Sequence, residues 1–314
     1  MSAQVTTHQN GIVEALLDGA IDDAALYPPA RQPLLEALTG YGHHAAGPYA
    51  QLVGTFICPI AELEAAAALS AVWPPDGLPL TLIATRSLSV ASFMPKLLSD
   101  VTALAAFLPR YPRAACRALE IALPGGATHE PGAGRTFGPL IDAALTVVPA
   151  QIPVRFELPP DVDASELADA LSALAPHARA RLKVRCGGET PAAIPSVAVL
   201  AAQIAGASQH GVGLKFTAGL HHALTDGQRH GFLNVLVASA LAYQYGLTAD
   251  ALGRILRESD ARAFSLGPDG LTLGRWTLSV IELVHIRLRY GLTFGSCSFD
   301  EPLADLLALG WLPA

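Results

Sequence analysis

Short runs that are apolar or alternate with period two recur eight times along the chain, separated by longer stretches that are apolar on one face only. The runs are 14–22 (EALLDGAID), 52–59 (LVGTFICP), 80–87 (LTLIATRS), 116–124 (CRALEIALP), 153–159 (PVRFELP), 181–186 (RLKVRC), 212–217 (VGLKFT) and 292–302 (LTFGSCSFDEP). Their length and alternation predict strands. The intervening stretches predict helices at 31–39, 61–71, 95–108, 136–147, 164–176, 195–209 and 227–246, with Ser165 as an N-cap and a last helix over LADLLALGW, 303–311. PPDG at 74–77 reads as a turn and GGATHEPGAG at 125–134 as a glycine-rich loop. Before the last strand the rhythm breaks: 248–258 predicts a helix, 263–274 a hairpin and 277–290 another helix.

Eight strands alternating with helices call for parallel pairing through right-handed crossovers. The count of eight, in a chain of 314 residues, favours an α/β fold of the (β/α)8 TIM-barrel type as a single domain over 1–314. A doubly wound open sheet is the alternative. It is weakened by the lack of Gly-x-Gly-x-x-Gly after the first strand and of a Walker A motif. The segment 247–291 interrupts the barrel between strands seven and eight and is expected to be a lid or an oligomerisation contact.

Composition narrows the class. Hydrophobic residues make up 51% and charged residues 15%, the profile of packed helices, and no uninterrupted apolar run reaches the roughly 18 residues of a membrane span. The start, MSAQVTTHQNG, has neither a charged nor an apolar leader region, so a cytoplasmic protein is expected. A net charge of −7 argues against nucleic acid as a partner. Cys58, Cys116, Cys186 and Cys297 form no CxxC pair and are expected as free thiols in a reducing compartment.

The strands carry charges on one face. Side chains alternate along a strand, so Arg181, Lys183 and Arg185 lie opposite Leu182, Val184 and Cys186, and Lys215 and Thr217 opposite Leu214 and Phe216. Arg155 and Glu157 likewise oppose Val154, Phe156 and Leu158, and Glu120 opposes Leu119 and Ile121. Apolar faces pack on the helices, so in a barrel the charges point inward. Burying each costs several kcal/mol unless it is paired. Either a self-satisfied salt-bridge cluster or a polar pocket at the C-terminal mouth follows, and the excess of cations favours a pocket for a small anionic metabolite. Two lysines on adjacent strands oppose each other's protonation, which makes a neutral amine available for Schiff-base formation. Glu120 and Glu157 are then the candidate proton carriers.

LKFTAGL, 214–220, resembles the seventh-strand VKASGG-type segment of class I aldolases of the deoxyribose-phosphate kind, which also keep a lysine on the sixth strand. The sixth strand here reads KVRCGG where those aldolases carry a KTSTG-like run. The resemblance implies a TIM barrel and a Schiff-base lyase. We take Lys215 as the first-choice amine and Lys183 as the second. LKFTAGLHH followed by HGFLN also resembles a family of bacterial and plant proteins, over much of the chain; that resemblance implies no activity.

Strand ends supply further candidates, because barrels build their sites there. His221 and His222 follow the seventh strand, Arg86 ends the third, and Ser296, Ser298 and Asp300 share a parity in the eighth. Arg155, Arg185, Arg86, His221, His222, Thr217, Ser298 and Asp300 are the expected substrate-binding groups. Gly187 and Gly188 allow a ligand close to the backbone. Asp22 at the end of the first strand is equally a candidate and an ordinary strand-end carboxylate. No HExxH or local metal triad occurs, and neither a metal nor a redox cofactor is expected. The reading is an enzyme for a small anionic carbonyl compound, a class I aldolase-like lyase in its sharper form. A phosphoribosyltransferase-like enzyme of the quinolinate type and a non-catalytic binding protein for the same anion are the alternatives, either as a homo-oligomer or alone.

Overall fold

The computed structural model describes residues 11–125 and 136–313. The glycine-rich stretch expected at 125–134 falls outside the described residues apart from Gly125.

Eight parallel strands close into a barrel in the order β1-β11-β7-β6-β5-β4-β3-β2. They are β1 (Ile21–Asp23), β2 (Val53–Pro59), β3 (Leu78–Ile83), β4 (Ala114–Ala122), β5 (Val154–Glu157), β6 (Ala180–Arg185), β7 (Gly213–Thr217) and β11 (Thr293–Ser296). The chain is thus a (β/α)8 barrel, and closure excludes the open doubly wound sheet. The outward residues Phe56, Leu82, Leu119, Phe156, Leu182, Leu214, Phe216 and Phe294 are buried under the helices. At roughly 1.5–3 kcal/mol per large apolar side chain, this shell is the main stabilising contribution.

The first expected strand divides in two. Residues 11–17 are helical, and only Ile21–Asp23 pairs in the sheet. The buried set Ile12, Val13, Leu16 and Leu17 has helical spacing. Gly19, at φ +58, then turns the chain into β1. The third strand stops at Ile83, four residues earlier than expected, which leaves Arg86 in the loop before helix α4 (Val90–Phe107). The last strand stops at Ser296, so alternation does not extend to Ser298 or Asp300.

By length and mean hydropathy (1.3), α4 meets the criterion for a membrane span, as does the stretch 191–210. In the barrel, Phe93, Leu97, Leu104 and Phe107 of α4 are buried on one side, which is the amphipathic pattern of a surface helix.

The N-cap of helix α6 (Ala164–Leu174) is Asp163 rather than Ser165. Asp163 accepts from the amides of Ser165 and Glu166, and Glu166 returns a bond to the Asp163 amide at 3.0 Å. Asp163→Ala is expected to lower the unfolding free energy by about 1 kcal/mol in urea denaturation, and Ser165→Ala by much less.

Helix α8 (Phe232–Tyr245) is buried on every face from Phe232 to Ala242. Helix α9 (Ala249–Leu256), the antiparallel sheet β8-β9-β10 (Phe264–Gly267, Gly270–Leu273, Trp276–Leu278) and helix α10 (Val280–Tyr290) pack around it. The hairpin expected at 263–274 is present as β8 and β9, β10 adds a third strand, and Ser279 caps the expected helix, which starts three residues later. None of its residues borders the cavity described next.

Candidate active site

A cavity of about 920 Å³ opens at the C-terminal ends of the barrel strands. Its floor carries Glu120 from β4, Glu157 from β5, Lys183 and Arg185 from β6, and Thr217 from β7. Loop residues Tyr27, Arg86, Gly187, Glu189, His221, Arg229 and Cys297 build the walls.

The inward charges form two tiers. In the lower one, the Lys215 ammonium is ion-paired to Asp22 and wholly buried. Arg155 Nη1 donates to Asp22 Oδ2 at 3.4 Å, Thr81 Oγ1 at 3.2 Å and Glu120 Oε1 at 3.2 Å. The other Asp22 oxygen accepts from the Thr55 amide (2.7 Å) and hydroxyl (2.8 Å). A side chain at Gly54 would place its Cβ 2.4 Å from that oxygen, so glycine is what lets β2 close over the carboxylate.

In the upper tier, Lys183 Nζ lies 2.6 Å from Glu120 and 2.9 Å from Glu157, and Arg185 holds the second Glu157 oxygen at 3.1 Å. Strand register explains the meeting: Glu157, Lys183 and Lys215 are side by side on β5, β6 and β7.

The expected mutual opposition of the two lysines is not what sets their protonation: each answers to other groups, and Lys183 is favoured as the ammonium. Burial disfavours both ammonium ions. For Lys183 the Glu120 and Glu157 carboxylates outweigh burial and raise the pKa. For Lys215 burial, aided by Arg155, outweighs Asp22 and lowers it. Glu120 is pulled down to about 2, with burial overcome by Lys183, Lys215 and Arg155. Asp22 and Glu157 are also lowered against burial, by Lys215 with Arg155 and by Lys183 with Arg185 respectively.

Of the residues expected in the site, Lys183, Glu120, Glu157, Arg185, Arg86, Thr217 and His221 border the cavity. Lys215 and Arg155 do not; they lie in the tier beneath it. The remaining three point elsewhere. His222 pairs with Asp305 at 3.2 Å. The Ser298 hydroxyl accepts from the Glu301 amide at 3.3 Å. Asp300 opens helix α11 (Asp300–Ala308), is 82% exposed, and meets His44 at 3.5 Å. Gly187 meets Gly219 rather than open space: a Cβ there would lie 2.8 Å from the Gly219 Cα, so these glycines let two mouth loops touch. Among the described residues no group of three or more His, Cys, Asp or Glu is placed to hold a metal ion.

Several wall residues lay outside the expected set. Tyr27 is one: its hydroxyl is buried and has no hydrogen-bond partner among the described residues, and burial, Cys58 and Glu120 raise its pKa. Only the loop signal of Tyr-Pro-Pro-Ala marked the position. Cys297 and Arg229 are others, the first hidden by its apolar character and the second by an unremarkable loop.

Asp23, next to the lower tier, is raised to about 6 by burial, opposed by the Ala25 amide and reinforced by Asp22. His44 Nδ1 is 4.0 Å from it. The folded state holds this proton more tightly than the unfolded chain, so stability from Asp23 is full at low pH and is lost as pH rises through about 6. The Asp23→Asn variant should lack this component. The wild-type-minus-variant difference in unfolding free energy should fall by on the order of 1 kcal/mol between pH 5 and pH 7.

Neither a scan against protein-family models nor a search of curated proteins gives a match. The chemistry must be read from the cavity, and residue choice is informative there. The chain has 20 Lys and Arg, of which three are lysines: Lys96, Lys183 and Lys215. Most of the described arginines are exposed, though Arg155 lies inside the barrel, and two of the three lysines stand side by side there. Lysine differs from arginine in that it can lose its proton and act as an amine.

Proposed function

We propose that this chain is an enzyme acting on a small anionic, carbonyl-bearing metabolite, and that Lys183 forms a Schiff base with that carbonyl, as in a class I aldolase-like lyase. The observation that carries the reading is the setting of the Lys183 amine: it borders the cavity and is held between two carboxylates at 2.6 and 2.9 Å.

Lys183 begins as an ammonium. A proton passes to Glu120 or Glu157, the free amine adds to the carbonyl carbon, and the carbonyl oxygen takes up a proton to give the carbinolamine. Loss of water leaves a cationic imine on the same nitrogen. The carboxylates that favour the ammonium favour the iminium equally, so the cost of deprotonation is transient. The iminium then accepts electrons from a breaking C–H or C–C bond at the neighbouring carbon, and Glu120 or Glu157 takes the proton released from that carbon or from the hydroxyl of the departing fragment. Arg86 and the half-exposed Arg185 supply positive charge for the anionic end of the substrate. The segment around Lys215, LKFTAGL, resembles the seventh aldolase strand, whereas that around Lys183, KVRCGG, departs from their KTSTG-like run.

Deuterium wash-in tests the proposal. Pyruvate, 2-oxobutyrate and dihydroxyacetone phosphate are incubated with the protein in D2O, and the α-C–H signals are followed by proton NMR. Protein-dependent exchange is expected for at least one of them. No exchange for any, with the same compounds raising Tm, would contradict the proposal and favour a non-catalytic binding protein. Tyr27→Phe is expected to slow exchange by about 10²-fold by removing a donor for the carbonyl oxygen. Its Tm should stay near wild type, since the hydroxyl has no partner among the described residues to lose.

A further inference from the structure

The wall opposite the carboxylates holds a second reactive group that the Schiff-base reading leaves unused. Cys297 directly follows β11 and His221 lies just beyond β7; both border the cavity. The Cys297 sulfur is 3.8 Å from His221 Nδ1 and 4.0 Å from Nε2. Glu301, in the first turn of α11, holds His221 Nδ1 at 2.9 Å. A carboxylate on Nδ1 fixes the proton there and leaves Nε2 as the basic nitrogen. Thiol, imidazole and carboxylate stand in the order of nucleophile, base and orienting group.

We propose that Cys297, with His221 as base and Glu301 orienting it, is a nucleophilic site for anionic α,β-unsaturated carbonyl compounds entering this cavity. The thiol proton passes to His221 Nε2 as sulfur forms a bond to the β-carbon. The C=C pair shifts to give the enolate, and the proton on His221 is delivered to the α-carbon, leaving a thioether. Nothing further is consumed. Burial, opposed by a bond from the Ala30 backbone and reinforced by Glu301 and Asp23, holds the Cys297 thiol above its ordinary range. The sulfur therefore enters protonated and depends on the base. A soft carbon electrophile suits sulfur, and Arg86 and Arg185 in the same cavity favour one that carries negative charge. The other thiols differ in their neighbours: Cys186 borders the cavity but is 1% exposed against 7% for Cys297, Cys58 is wholly buried, and half-buried Cys116 has a bond to the Ala118 carbonyl at 3.6 Å and, among the described residues, no imidazole contact.

The test is alkylation of the native protein with neutral N-ethylmaleimide and anionic 4-maleimidobutyrate, read cysteine by cysteine by peptide mass mapping. Cys297 is expected to react at least tenfold faster than Cys116, and to prefer the anionic reagent where Cys116 does not. His221→Asn should slow Cys297 about tenfold and leave Cys116 unchanged. Glu301→Gln, at an exposed position, should give a smaller slowing and covers the case in which the histidine variant fails to fold. The proposal is overturned if Cys297 reacts no faster than Cys116, if neither variant slows it, or if the neutral reagent is preferred. The same measurement on Lys183→Arg should be unchanged, which separates this site from the Schiff-base reading.

Discussion

Lys215→Met is expected to lower the unfolding free energy by about 3 kcal/mol or more, read from urea denaturation at pH 7. Its ammonium is wholly buried and ion-paired to Asp22, so its removal leaves a buried carboxylate with Arg155 as the remaining cation, at 3.4 Å. A charge left uncompensated in the interior costs more than the pair contributed, because desolvation is no longer offset. The double variant Asp22→Asn with Lys215→Met removes both charges and should recover a large part of the loss. A single-variant loss below about 1 kcal/mol would mean that the lower tier does not depend on this pair.

Lys183→Arg has the opposite profile. The guanidinium keeps the positive charge between Glu120 and Glu157, so Tm should stay close to wild type. Arginine does not supply a neutral amine near pH 7, so exchange of substrate α-hydrogens should fall on the order of 10³-fold or more. Exchange that survives in Lys183→Arg would move the chemistry away from β6. The two lysines sit at matched register on neighbouring strands, yet one is wholly buried against Asp22 and the other borders the cavity.

The barrel was readable because seven of the eight strands kept their alternation, and Glu120, Glu157, Lys183 and Arg185 were found by parity alone. Parity tells which face a residue occupies but not its depth. That is why Lys215 and Arg155, correctly inward, rank with Lys183 in the sequence and lie a tier below it in the fold. Asp22 escaped as their counter-ion because the stretch before it is helical; a three-residue strand has too little alternation to fix a face. The cation excess therefore shrinks once Asp22 is counted, and part of the cluster is self-satisfied. Ser298 and Asp300 were misjudged for the complementary reason, a strand pattern extended past the point where the chain turns into a helix. Tyr27 and Cys297 come from loops, whose conformation depends on contacts distant in sequence rather than on local periodicity.

Borohydride trapping reads which lysine carries the imine. The protein is reduced with sodium borohydride in the presence of pyruvate or dihydroxyacetone phosphate, and the adduct is mapped over the three lysines. The account predicts one added substrate skeleton per chain, on Lys183, absent from Lys183→Arg. An adduct on Lys215, or none on any lysine under conditions where the compound binds, would contradict it.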